Sequence, residues 1–199
     1  MTSDRLVIRD GDVDTAVVAE YERSRRELVR RGMVAAGAAL AASTIPLLAR
    51  VRNAFAQADD DAAILRAAIE IEQAAAEAYQ RSQSQLGGLA RLFRNHERQH
   101  LAALTVALRQ MGGTPPSPDV QAQLKGLAGA SSKRDRAVFL IDLENAAVRA
   151  YEDAHRALRD ARLMQTATTI LGNEAQHLVV LRQLAGRPPV PSAFERGRG

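Results

Sequence analysis

Four stretches of the chain carry apolar side chains at steps of three and four residues, the spacing of one face of an α-helix. Leu65, Ile69, Glu72, Ala76 and Tyr79 line the first, predicted over about 60–83 and broken by Gly87-Gly88. Leu89, Phe93, Glu97, His100, Leu104, Leu108 and Met111 line the second, over about 89–111, which Gly112-Gly113-Thr114-Pro115-Pro116-Ser117-Pro118 stops. The third starts near Ser131 or Ser132, ends near Asp160, and carries Val138, Ile141, Glu144, Val148, Tyr151, His155 and Leu158. The fourth, over about 163–185, carries Leu163, Ala167, Ile170, Glu174, His177, Leu181 and Leu184, and Gly186 with Pro188-Pro189 ends it. The first and last connections are short, so they close antiparallel hairpins. The middle one is about twenty residues long, with a short helix expected at Val120–Leu127. The predicted fold is all-α: an antiparallel four-helix bundle of two hairpins joined by one long crossover.

Each apolar stripe contains a glutamate, and the two hairpins repeat each other. Ile71-Glu72-Gln73-Ala74-Ala75-Ala76-Glu77-Ala78-Tyr79 aligns with Leu143-Glu144-Asn145-Ala146-Ala147-Val148-Arg149-Ala150-Tyr151. His96-Glu97-Arg98-Gln99-His100-Leu101-Ala102-Ala103-Leu104 aligns with Asn173-Glu174-Ala175-Gln176-His177-Leu178-Val179-Val180-Leu181. Each half therefore supplies a Glu on its first helix and Glu-x-x-His on its second. At about 1.5 Å per residue the four carboxylates lie roughly 15–24 Å from their hairpin turns, so they can meet at mid-bundle.

Four unpaired carboxylates in one core would cost several kcal/mol each and repel one another. Two divalent cations match them in charge, and two histidines add neutral nitrogen donors. Glu and His at i and i+3 share a helix face and can reach one centre. On these residues, positions 59–186 resemble the ferritin-like superfamily of dimetal-carboxylate proteins. The resemblance implies that Glu97 and Glu174 bridge the metals, that Glu72 and Glu144 are terminal ligands, and that His100 and His177 serve one metal each. Oxygen-rich ligation with one nitrogen per metal suits two Fe ions, with Mn as the alternative. Three functions fit this set: a ferroxidase-like or peroxide-scavenging oxidoreductase using O2 or peroxide; a non-catalytic metal-binding module; and a metal-free bundle for interaction or stress protection. A mineral-storing cage fits less well than a monomer or homodimer.

His96-Glu97-Arg98-Gln99-His100 also matches the His-Glu-x-x-His zinc-protease motif. The repeat argues against it, because Asn173 replaces the first His while Glu174 and His177 remain. We read His96 as facing solvent, with a hydrogen bond near the site as the alternative, and His155 as a core or boundary histidine. Tyr79 and Tyr151, each seven residues after a stripe Glu, are core residues by spacing, and their pseudo-symmetry suggests a hydrogen bond to a ligand or a catalytic part in relaying electrons. Glu70, Glu77, Asp142, Glu152 and Asp153 fall off the stripes and are expected at the surface.

Composition removes several alternatives. The absence of Cys excludes disulfides and thiolate sites. The net charge of +4 falls to +2 over residues 59–199, without a dense basic run beside aromatics, so a nucleic-acid partner is not expected. Arg91, Arg94 and Arg98 are read as a solvated face. Residues 1–58 read as a leader. Ser24-Arg25-Arg26-Glu27-Leu28-Val29-Arg30 resembles a twin-arginine export signal, followed by an uncharged stretch at 32–49 and by Ala54-Phe55-Ala56 and Ala56-Gln57-Ala58. Cleavage after Ala56 or Ala58 is expected, and an uncleaved membrane anchor is the alternative. Both place the bundle outside the cytoplasm. Residues 1–23 are expected to be an unstructured lead-in, and residues 187–199 a flexible tail.

Overall fold

The computed structural model describes residues 60–117, 120 and 124–197, together with the backbone of residues 8, 9, 12 and 13. The chain divides into two units, Met1–Ala42 and Ser43–Gly199. In the first, strands β1 (Ile8–Arg9) and β2 (Asp12–Val13) pair antiparallel, where the sequence suggested no structure. The twin-arginine segment and both cleavage candidates lie outside the described residues. Among the described residues, no helix is long and apolar enough to cross a membrane.

The second unit is a bundle of four long helices. Helix α1 (Asp61–Arg81) starts where the Asp60 side chain accepts from Ala63 N at 2.7 Å. It ends earlier than its apolar pattern suggests. Ser82 is buried and its hydroxyl donates back to Ala78 O, and the chain resumes as the short α2 (Gln83–Leu86). Helix α3 (Gly88–Gln110) stops at Gly112, whose φ of +77° suits glycine. Gly113 N donates to Leu108 O and Gly112 N to Arg109 O, satisfying carbonyls that the helix end leaves open.

In the crossover, where a short helix is expected at Val120–Leu127, Val120 is helical, residues 121–123 lie outside the described residues, and Lys125–Gly129 form a 3-10 turn. Gly126 and Gly129 weaken α-helix here, while Leu124 and Leu127 bury against the bundle. Helix α4 (Lys133–Ala157) begins with a reciprocal Ser132–Asp135 cap. Helix α5 (Ala161–Leu184) begins two residues before its apolar stripe because Asp160 accepts from Arg162 N and Leu163 N.

Helices α1 and α3 pack as one hairpin and α4 and α5 as the other; the hairpins meet mainly through α1 against α4. Both of those helices bury many alanines, among them Ala67, Ala74, Ala78, Ala147 and Ala154, and small side chains let two backbones approach closely. Helices α3 and α5 touch far less. Asp61 sets the register between hairpins: its buried carboxylate accepts from Arg159 N at 3.0 Å and Asp160 N at 2.9 Å, in the α4–α5 turn.

The tail, expected to be flexible, packs back at its described end. Glu195 pairs with buried Arg182 at 2.5 Å, and Arg149 donates to Gly197 O.

Candidate metal centre

Each long helix contributes one glutamate to the interior: Glu72 from α1, Glu97 from α3, Glu144 from α4 and Glu174 from α5. None is more than 1% exposed. The stripe places them there, since Glu72 lies three residues after Ile69 and Glu144 three after Ile141, both isoleucines being fully buried. His177 is also buried, and the His100 side chain is 13% exposed.

These six residues form two overlapping groups. Glu72, Glu97, His100 and Glu174 each offer one donor atom within 4.8 Å of the others, and so do Glu97, Glu144, Glu174 and His177. Glu97 and Glu174 belong to both. His100 Nδ1 lies 3.1 Å from Glu174 Oε1 and 3.3 Å from Glu72 Oε2 and Glu97 Oε2. His177 Nδ1 lies 3.0 Å from Glu174 Oε2, 3.1 Å from Glu97 Oε1 and 3.3 Å from Glu144 Oε1.

His100 Nδ1 shares a hydrogen bond with Glu72 Oε2, but the other close approaches around Glu97, Glu174 and His177 Nδ1 are not hydrogen bonds. Both carboxylate oxygens of Glu97, both of Glu174 and His177 Nδ1 are buried and have no hydrogen-bond partner, despite the short distances. Five converging lone-pair atoms on Glu97, Glu174 and His177 without aligned protons suit a cation better than a hydrogen-bond network. The remaining carboxylates are oriented. The Tyr79 hydroxyl donates to Glu144 Oε1, and the Tyr151 hydroxyl donates to Glu72 Oε1.

Burial and neighbouring charges shift the protonation of the cluster. Burial lifts Glu72 to about 8, against the pull of His100. Burial, with the charges of Glu97 and Glu144, holds Glu174 well above the carboxylate range. Burial also pushes Glu97 upward, but His100 and His177 outweigh it and hold this carboxyl at about 2. Burial pulls both histidines down, yet the surrounding carboxylates raise each to about 12. Burial and the neighbouring carboxylates raise Tyr79 and Tyr151 well above their ordinary range, which keeps both as neutral donors. A cation entering here displaces protons, above all from the histidines.

Two sequence expectations change. His96 does not point to solvent: it is half-buried, with Nδ1 3.0 Å from His177 Nε2. His96 on α3 and His177 on α5 meet through their rings, a relation that neither helix shows alone. His96 belongs to neither donor group, which agrees with the case against the zinc-protease motif. His155 is exposed, not core, and its Nδ1 lies 3.1 Å from Thr168 Oγ1; Ala154 takes the buried position beside it. Glu77, Glu152 and Asp153 make local surface ion pairs, with Arg81 or Arg156. Phe93, expected only as core, stacks on the His177 ring with centroids 4.0 Å apart. Buried Arg182 had no signal in the apolar pattern, because its partner Glu195 lies in the tail.

Compared with known families, residues 60–187 match the family described as ferritin-like domain. No curated protein and no solved structure matches the chain.

Proposed function

The chain belongs to the ferritin-like family, and we propose that it is an exported oxidoreductase whose six convergent side chains hold two iron ions, with manganese as the alternative. The observation that carries this is the sharing of Glu97 and Glu174 between the two donor groups. Glu97 and Glu174 would serve both ions, with Glu72 and His100 completing the donor set of one and Glu144 and His177 that of the other. The donor set is oxygen-rich with one nitrogen per ion, which favours Fe²⁺ or Mn²⁺ over a thiolate-seeking metal. Iron held there would supply one-electron chemistry toward O2 or peroxide.

The protein's own part is binding and orientation. Tyr79 and Tyr151 each fix one oxygen of a terminal carboxylate. Raised Glu72 and Glu174 and both histidines hold protons that leave on loading. Burial keeps bulk water from the carboxylates. The twin-arginine-like leader supports placement outside the cytoplasm.

The test is anaerobic loading with Fe²⁺ followed by exposure to O2 or peroxide, monitored optically. Oxidation faster than in a Glu97→Ala/Glu174→Ala control is expected. A rate equal to that control rules out a redox role, and metal retained without turnover leaves a binding module.

A further inference from the structure

The repeat that builds the site is broken at one place beside it: His96 in the first half stands where the second half has Asn173. The break has a structural consequence. His96 Nδ1 lies 3.0 Å from His177 Nε2, and the two ring planes differ by only 10°. Since His177 Nδ1 faces three carboxylates, its lone pair is free for a cation only when the ring proton sits on Nε2. His96 Nδ1 is placed to accept that proton. Phe93, stacked at 4.0 Å, holds the same ring in plane. His177 is thus fixed in both orientation and tautomer.

The other half lacks these supports. Asn173 Oδ1 is buried without a hydrogen-bond partner. Among the described residues, no hydrogen bond reaches His100 Nε2, and the His100 side chain is 13% exposed against 1% for His177. All four members of the His177 group are buried, whereas the His100 group has one that is not.

We propose that His96 is a positioning residue that makes the two metal positions unequal. The position formed by Glu97, Glu144, Glu174 and His177 fills first and holds its ion tightly. The position formed by Glu72, Glu97, His100 and Glu174 fills second and exchanges. This rests on the dimetal reading above. Groups hydrogen-bonded to a ligating histidine typically change metal affinity by about 10–100-fold, so the two positions should differ on that scale.

The test is titration of metal-free full bundle with Co²⁺, followed by its visible spectrum and by calorimetry. Wild type should bind two ions in two resolved classes. His96→Leu should weaken the tighter class by about tenfold or more and shift its visible bands, leaving the weaker class within about threefold. His96→Gln, whose amide oxygen can accept the same proton, should restore most of the affinity. Thermal unfolding of each metal-free variant shows whether it is folded. Two equal classes in wild type, equal weakening of both by His96→Leu, or failure of His96→Gln to restore binding would overturn the inference while leaving two metals in place. No Co²⁺ bound by wild type would overturn the dimetal reading itself.

Discussion

The Tyr79 hydroxyl on α1 donates to Glu144 on α4, so a tyrosine of one hairpin orients a carboxylate of the other. Tyr151 returns the same bond to Glu72. The two bonds fit antiparallel packing of α1 and α4: seven residues forward on one helix match seven back on the other. They tie the hairpins together at the level of the site. Replacing Tyr79 or Tyr151 with Phe leaves a buried carboxylate oxygen without its donor. The expected loss is about 1–3 kcal/mol of stability for each variant, read by thermal or denaturant unfolding of metal-free protein. Metal affinity should also fall. No change in either quantity would show that the cross-hairpin bonds are incidental.

The shifted protonation gives a pH dependence of defined sign. Glu72, raised from 4.5 to about 8, contributes stability that is full below pH 4.5 and is lost as pH rises through about 8. Glu174, also raised, acts in the same direction. His100 and His177, raised from 6.5 to about 12, contribute stability that is full below 6.5 and is lost as pH climbs toward 12. Glu97, lowered from 4.5 to about 2, contributes above 4.5 and loses that contribution only as pH falls toward 2. From pH 5 to pH 9 the melting temperature of chelator-treated protein should therefore fall. Metal affinity should rise over the same range, because the ion competes with protons. Melting curves with chelator and with metal at several pH values check both signs. A metal-free protein that gains stability toward pH 9 would contradict them.

Export is testable apart from the site. Fusion of residues 1–58 to a reporter that acts only outside the cytoplasm should give signal. Arg25→Lys together with Arg26→Lys should abolish it and leave full-length precursor inside. Unchanged signal from the double variant would remove the twin-arginine reading.

The helices and the convergence of these six side chains could be read from the chain because each sits on an apolar stripe and the hairpin repeat marks it twice. Caps did the fine placement: Asp160 starts α5 two residues before the first stripe residue, and Ser82 ends α1 early. Relationships between helices were harder to read. Tyr79 lies one heptad from Glu72 in sequence, yet its bond goes to Glu144, because two turns of one helix separate groups too far for a direct bond. His96 lies off the stripe, so its periodicity said solvent; only the narrow side-chain contact between α3 and α5 brings it to His177. Glu195 sits in a segment whose Pro and Arg content suggested a loose tail, and its anchor, Arg182, is a charged residue near the end of α5.

The central claim is that the buried carboxylates hold two metals through shared Glu97 and Glu174. The most direct measurement is the metal content per chain by elemental analysis after anaerobic loading with Fe²⁺ and removal of free ion. Two irons per chain are expected in wild type, and close to none in Glu97→Ala/Glu174→Ala. A wild-type protein that retains no iron and no manganese, or a double variant that still holds two, would contradict it.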